Sequence, residues 1–234
     1  MTLFPKLLTT SISEPATVRL IPNSNHKPPV LSPLVDDDNE RYILEQFEGR
    51  TNNRLKAMHS GLPELDKREL AYGTGYGMSH INAAFSYPRK PEGNRFNDSE
   101  RGAWYCALDN ITAIEEVAYH RTRELDRIGK YEDEFIYQEL LAGFIGPFYD
   151  AQKLPRDKGI LGEEPKTAYP SGQDYANQIR AKGGNGIIYP SVRRPGGICL
   201  VAFRPQVIQN VRPGNRWKIS WNGSRKHTAV KISE

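Results

Sequence analysis

Short apolar runs rich in aromatic and β-branched residues recur along the chain, separated by loops that contain Gly or Pro. Runs of this length and composition predict buried β-strands. They lie at residues 17–21, 103–108, 135–148 (one or two strands), 187–189, 198–203, 207–211 and 217–221. Residues 111–128, behind a capping Asp109 or Asn110, and residues 173–181, before Gly183-Gly184, predict two helices. Short strands with two interspersed helices predict an α+β fold, not a doubly wound α/β sheet.

The first 70 residues differ from the rest and predict an N-terminal extension. Residues 1–35 are rich in Pro, Ser and Thr. The acidic run at 36–38 predicts the start of a helix, because carboxylates bind the free amide groups there, and Gly49 ends that helix. Leu55 and Met58 indicate a further helical turn. We therefore divide the chain into an extension (1–70), a main domain (71–222) and a basic tail (223–234), with a loop at 154–170.

Charge restricts the partners that this chain is expected to bind. Its 234 residues carry 32 basic and 28 acidic side chains, a net charge of +4. Phosphate backbones require clustered basic residues, and the dense groups are Arg193-Arg194 and residues 225–231. Direct nucleic-acid binding is not expected, whereas an anionic small ligand suits this balance.

Other features indicate the compartment. No apolar run approaches the roughly 20 residues of a membrane span, and the first ten residues contain no signal-peptide core. The two cysteines, Cys106 and Cys199, cannot form a disulfide framework, so a reducing, cytoplasmic setting is expected.

Several common motifs are missing. The five histidines include no pair at ligand spacing and there is no C-x-x-C, so no metal is expected. The glycines at 73, 75 and 77 lack the spacing and the lysine of a phosphate-binding loop and are typical of a turn. Ser191 does not lie in the G-x-S-x-G elbow of a hydrolase.

Three stretches stand out in this order: Gly93-Asn94-Arg95-Phe96-Asn97, residues 112–120 with two adjacent carboxylates, and residues 186–193 followed by Pro195-Gly196-Gly197. In sequence and order they resemble the RES domain, the toxin half of RES–Xre toxin–antitoxin pairs, over roughly residues 74–222. Two departures are Phe96, where the family often has Trp, and the first seventy residues, which the smallest members lack.

The resemblance implies NAD+-cleaving chemistry on a fold similar to ParT-like bacterial ADP-ribosyltransferase toxins. It implies Arg95, Glu116 and Ser191 as catalytic residues, with Arg95, Tyr105 and Ser191 binding NAD+, the substrate, and no metal. These residue types suit the reaction, because breaking the nicotinamide–ribose bond builds positive charge on the ribose, which a carboxylate stabilises. Arginine suits the phosphates, and an aromatic ring can stack on nicotinamide.

The residues alone do not select Glu116. On a helical wheel the apolar residues of this helix define a buried face, and Glu115 lies nearer to that face than Glu116. Only the register of the family motif selects Glu116, so Glu115 stays the second candidate.

The expected function is that of a toxin that transfers ADP-ribose from NAD+ to a host protein and is restrained by a cognate Xre-type antitoxin. The alternative is an NAD+ glycohydrolase or phosphorylase that depletes NAD+. A remote alternative is a non-enzymatic basic binding module, which the net positive charge alone supports.

Overall fold

The computed structural model describes residues 8–23, 53–73, 76–155 and 159–232. One mixed seven-stranded sheet runs through them in the order β1-β2-β5-β4-β3-β6-β7, and β1 also pairs with β3. The strands are β1 (Thr9–Pro22), β2 (Trp104–Ala107), β3 (Glu132–Asp150), β4 (Gly186–Pro190), β5 (Ile198–Ala202), β6 (Gln209–Asn222) and β7 (His227–Ile232). The pairing of β3 with β4 is parallel and the other pairings are antiparallel. Because β1 contacts both β2 and β3, five strands close into a ring.

Four α-helices lie in the described ranges: α1 (Asn53–Ser60), α2 (Met78–Ser86), α3 (Asn110–Ile128) and α4 (Pro165–Ala181). With the mixed sheet they confirm the α+β prediction. Asp109 caps α3 through its side chain, and Gly129, with φ of 74°, ends the helix in the left-handed region that favours glycine. In the described part of the chain, no helix combines the length and the apolar character that crossing a membrane requires.

Helix α4 and the C-terminal strands differ from their predictions. Helix α4 begins eight residues before the predicted start, inside the expected loop, because Glu164 caps it and Pro165 occupies a first-turn position that needs no amide donor. Pro170 lies within the helix. The strands predicted at 207–211 and 217–221 belong to one strand, β6, which begins at Gln209 after a 3-10 helix at Pro205–Val207. The basic tail includes β7, and α2 was not predicted.

A pair of bulges explains the continuity of β6. The register with β3 shifts on both sides of Leu140 and Leu141, so extra β6 residues are accommodated without ending the strand. At the first bulge the buried Glu139 accepts hydrogen bonds from the backbone amide of Asn215 at 2.7 Å and from Trp217 Nε1 at 2.5 Å. Pro213-Gly214 therefore marks a bulge rather than a turn.

Strand β1 is the longest element in the described part of the N-terminal segment. The strand predicted at 17–21 is confirmed and extends over fourteen residues, Thr9–Pro22, almost all paired with β3. Ile12, Val18 and Ile21 are buried, and Thr17 Oγ1 donates to the carbonyl of Ala142 at 2.9 Å. The helix expected at 36–49 lies outside the described residues, and α1 confirms the helical turn expected near Leu55 and Met58. The division at residue 70 stays a prediction.

We predict that a chain beginning at Ala71 does not fold. Removing β1 exposes its partners on β3, and each lost buried aliphatic side chain costs about 1.5–3 kcal/mol. With the lost ladder bonds this approaches the whole stability of a domain, about 5–15 kcal/mol. Thermal unfolding followed by circular dichroism tests this. A cooperative transition in the shortened chain near that of the full chain would contradict it.

Candidate functional site

A cavity of about 250 Å³ lies between α3 and the sheet. Its walls include Arg95, Tyr105 and Glu116, three of the four residues selected from sequence. Ser191, the fourth, is fully buried and does not line the cavity; it lies behind Glu116. The structure therefore brings all four together, with Ser191 in contact with the carboxylate rather than with the cavity.

The Glu116 carboxylate is held by two buried side chains. Ser191 Oγ donates a hydrogen bond to Glu116 Oε1 at 2.6 Å, and Cys199 Sγ lies 3.7 Å from the same oxygen. Ser191 Oγ itself accepts from the backbone amides of Arg193 at 3.1 Å and Arg194 at 3.0 Å. Because these amides occupy the lone pairs of the hydroxyl, its proton is directed to Glu116. The carboxylate is thereby fixed in orientation.

The turn that carries Ser191 is docked on the start of α3. Arg194 Nη1 contacts both carboxylate oxygens of Asp109 at 2.9 Å and Thr112 Oγ1 at 2.7 Å. A Cβ on Gly197 would lie 2.6 Å from Thr112 Oγ1, so only glycine allows this approach. The N-cap of α3 therefore also anchors the turn that orients Glu116.

The structure places Glu116, not Glu115, at the cavity. Glu115 Oε1 lies 3.5 Å from His227 Nε2 of β7, away from the cavity wall. Helix α3 has two inward faces, whereas the helical wheel assumed one. Ile114, Ala118 and Leu125 pack against the sheet. The cavity side shows the helical spacing i, i+3, i+4, i+7, formed by Ala113, Glu116, Val117 and His120.

Arg95 is buried beside the loop before α4. Its Nη1 donates to the carbonyls of Ile160 and Gly162, both at 2.9 Å, and its Cζ lies 5.4 Å from the centre of the Tyr169 ring. An arginine has five N–H donors. The two carbonyls therefore fix the side chain and leave donors on the guanidinium for an anionic ligand.

Three tyrosines, Tyr105, Tyr169 and Tyr189, add aromatic walls to the cavity. The Tyr105 hydroxyl donates to Asn97 Oδ1 and accepts from the amide of Phe96, both at 2.9 Å. Burial raises the pKa of all three phenols, so they are neutral at physiological pH. Sequence reasoning missed Tyr169 and Tyr189; Tyr189 lies in the stretch that was singled out, but Tyr169 lay in a predicted loop.

The comparison with known families matches residues 72–222 to the RES domain, more than half of the chain. The chain belongs to the RES-domain family. It is also 28% identical to an uncharacterized protein of Sinorhizobium fredii, y4oC, over 217 residues, which covers 88% of this chain and 83% of that protein. RES domains are generally linked to NAD+-acting toxins, typically paired with antitoxins.

Residues outside the matched RES domain also line the cavity. Val18, Arg19 and Leu20 of β1 contribute to its wall. Arg19 Nη1 donates to the backbone carbonyl of Tyr105 at 3.0 Å, and its Cζ lies 4.9 Å from the Trp104 ring. Burial lowers the pKa of Arg19 from its usual value. A strand was predicted here, but no local feature of the sequence indicates that these residues line the cavity, since their contact with the RES domain depends on long-range pairing.

The remaining polar wall of the RES cavity contains His120 and Arg193. Burial, together with the positive charges of Arg89 and other nearby arginines, lowers the pKa of His120 to about 3. The imidazole is therefore neutral at physiological pH. Within the described ranges, no group of three or more His, Cys, Asp or Glu is arranged to hold a metal ion.

Proposed function

We propose that this protein cleaves the nicotinamide–ribose bond of NAD+ and passes ADP-ribose to an acceptor. The observation that carries the proposal is the Ser191–Glu116 hydrogen bond of 2.6 Å, which presents an oriented carboxylate in a cavity. Arg95 and three neutral tyrosines line the same cavity. A fixed carboxylate beside aromatic walls suits a substrate that has a planar cationic ring and develops positive charge on its ribose.

In the proposed step the bond between the nicotinamide nitrogen and ribose C1′ breaks, and its electron pair leaves with nicotinamide. Positive charge develops on the ribose ring, as in glycoside hydrolysis. Glu116 stabilises that charge, and Ser191 keeps the carboxylate oriented so that little reorganisation is needed. The acceptor then bonds to C1′ through an oxygen or nitrogen and loses a proton where it carries one. Tyr105 supplies a ring surface for nicotinamide.

The remote alternative, a basic binding module, has less support. Arg194 is paired with Asp109 at 2.9 Å, and Arg193 lines the cavity. The other basic group belongs to β7 and the turn before it, where Arg225 lies 3.3 Å from Asp126. Both basic groups therefore have local roles that do not require a polyanion.

We predict that Glu116→Gln lowers nicotinamide release by about a hundredfold or more, because loss of one preorganised electrostatic group costs roughly 3 kcal/mol. The amide keeps the side-chain volume, so the thermal unfolding curve should stay near that of the wild type. Glu115→Gln is the matched control, since its carboxylate faces His227 instead of the cavity. Near-normal release by Glu116→Gln together with loss in Glu115→Gln would reverse the assignment.

The acceptor determines the biological effect. The sequence favoured a host protein, because an extension of 70 residues could form a docking rim. The described parts of that extension are β1, a sheet strand with a structural role, and residues 53–70, which include α1. Incubating a cell lysate with the protein and NAD+ labelled in its adenosine half distinguishes the three possible acceptors. A discrete labelled protein band indicates transfer to a protein. Free ADP-ribose indicates hydrolysis by water, and ADP-ribose 1-phosphate indicates phosphorolysis. We expect the labelled protein band. If the label appeared stoichiometrically in small products and in no protein, the activity would be NAD+ depletion and not transfer to a protein.

A toxin that consumes NAD+ requires restraint in its own cell, and we propose a cognate Xre-type antitoxin that occludes the cavity. Because the cavity contains all the proposed reacting groups, insertion of a single segment blocks the reaction. The purified complex should release no nicotinamide, and dissociating it should restore release. A complex as active as the free chain would rule out occlusion.

A further inference from the structure

Four arginines lie close enough to one histidine beside the cavity for their positive charges to act on its imidazole. Arg89 Nη1 lies 3.3 Å from His120 Nδ1. Arg193 Cζ lies 3.4 Å from the centre of the neighbouring Tyr119 ring, and Arg123 Cζ lies 6.0 Å from it. Arg95 is the fourth, and it lines the cavity together with Arg193 and His120. We call these four residues, Arg89, Arg95, Arg123 and Arg193, the arginine cluster.

The arginine cluster has no carboxylate partner among the described residues. Several arginines elsewhere in the described residues are paired with carboxylates, among them Arg101 with Glu69, Arg121 with Asp133 and Arg194 with Asp109. In the cluster the side-chain contacts are carbonyls, aromatic rings and His120. Arg123 Nη1 is buried without a hydrogen-bond partner. Neighbouring like charges repel one another, and a buried unsatisfied donor is costly, so an anion bound among these arginines would stabilise the arrangement.

His120 adds a neutral donor to this arrangement. The Arg89 guanidinium has only donors, so His120 Nδ1 accepts its hydrogen bond and must be unprotonated. The proton of the neutral ring is then on Nε2, which is left to donate to a ligand. The arginines and the His120 Nε2 offer only hydrogen-bond donors. They therefore match a ligand whose oxygens are all hydrogen-bond acceptors.

We propose that the arginine cluster and His120 bind the diphosphate of the dinucleotide and thereby place its ribose against Glu116. This inference rests on the proposed function. His120 follows Glu116 by four positions on α3, one helical turn or about 6 Å along the axis. A ribose joins the scissile carbon to the phosphate across a comparable span. The planar fork of arginine matches phosphate oxygens, and two phosphates balance several cations.

Paired substrates test the diphosphate directly. Nicotinamide riboside has the same scissile bond as NAD+ but no phosphate. In Arg193→Met and Arg123→Met, kcat/KM for NAD+ should fall by about ten- to hundredfold, mainly through KM, since charge-assisted hydrogen bonds are lost. The value for nicotinamide riboside should not change. Arg127→Met is the matched control: it lies one turn beyond Arg123, is exposed and pairs with Glu92 at 3.8 Å, so both values should match wild type.

Several outcomes would overturn the inference. An equal fall for both substrates would indicate a structural role for the arginines, and no fall for either would indicate no role. If the variants changed only the stimulation of nicotinamide release by inorganic phosphate, the cluster would bind an acceptor phosphate and not the dinucleotide.

A binding measurement separates this inference from the proposed cleavage. ADP contains the diphosphate but no nicotinamide, so calorimetric titration with ADP requires no catalysis. Wild-type protein should bind ADP, and Arg193→Met should bind it at least about tenfold more weakly. If wild type bound ADP in this way but released no nicotinamide from NAD+, the proposed function would fail and the anion site would stand. Equal ADP affinity in both proteins, or none in wild type, would overturn the anion site.

Discussion

The contact between the turn 191–197 and the first turn of α3 sets the geometry on which the site depends. One side chain, Asp109, accepts the amide of Thr112 at 2.8 Å and also binds Arg194. Helix capping and turn docking are thus the same interaction. The turn is closed by a hydrogen bond from the Ser191 amide to the Gly197 carbonyl at 2.8 Å. Ser191 and Glu116, 75 positions apart in the chain, meet as a consequence.

The two inward faces of α3 have different roles: one stabilises the fold and the other lines the cavity. The face with Ile114, Ala118 and Leu125 packs against β3 and β6 and contributes apolar burial. The face with Glu116 and His120 borders a cavity, where a carboxylate and several cations lie in partly desolvated surroundings. Such groups cost free energy in the folded state unless they are paired. Burial of the apolar face offsets that cost, so one helix can stabilise the fold and also hold the charged groups of the cavity.

Elements with local signals could be predicted from the sequence. The bounds predicted for helix α3, 111–128, agree with the structure to within one residue, and its start was indicated by the capping Asp109 or Asn110. Strands β2, β4 and β5 are compact apolar runs. The errors and the open choices arose where distant residues decide the outcome. The continuity of β6 depends on Glu139 of another strand, and the choice between Glu115 and Glu116 depends on where the cavity lies. Burial of Ser191 behind Glu116 likewise required the folded arrangement.

Strand β1 shows that the working unit extends beyond the matched RES domain. Composition separated residues 1–70 as an extension, although a strand was predicted at 17–21. Its full length, Thr9–Pro22, and its place in the sheet are recognised only from its pairing with β3. Its bridge to β2 is the single pair Val18–Ala107, and Arg19 reaches the Tyr105 carbonyl beside it.

Strand β1 closes the ring of strands by pairing with both β2 and β3. Residues 18–20 of the same strand form part of the cavity wall. The wall beside Glu116 is therefore complete only when residues that precede the RES match are folded onto the sheet.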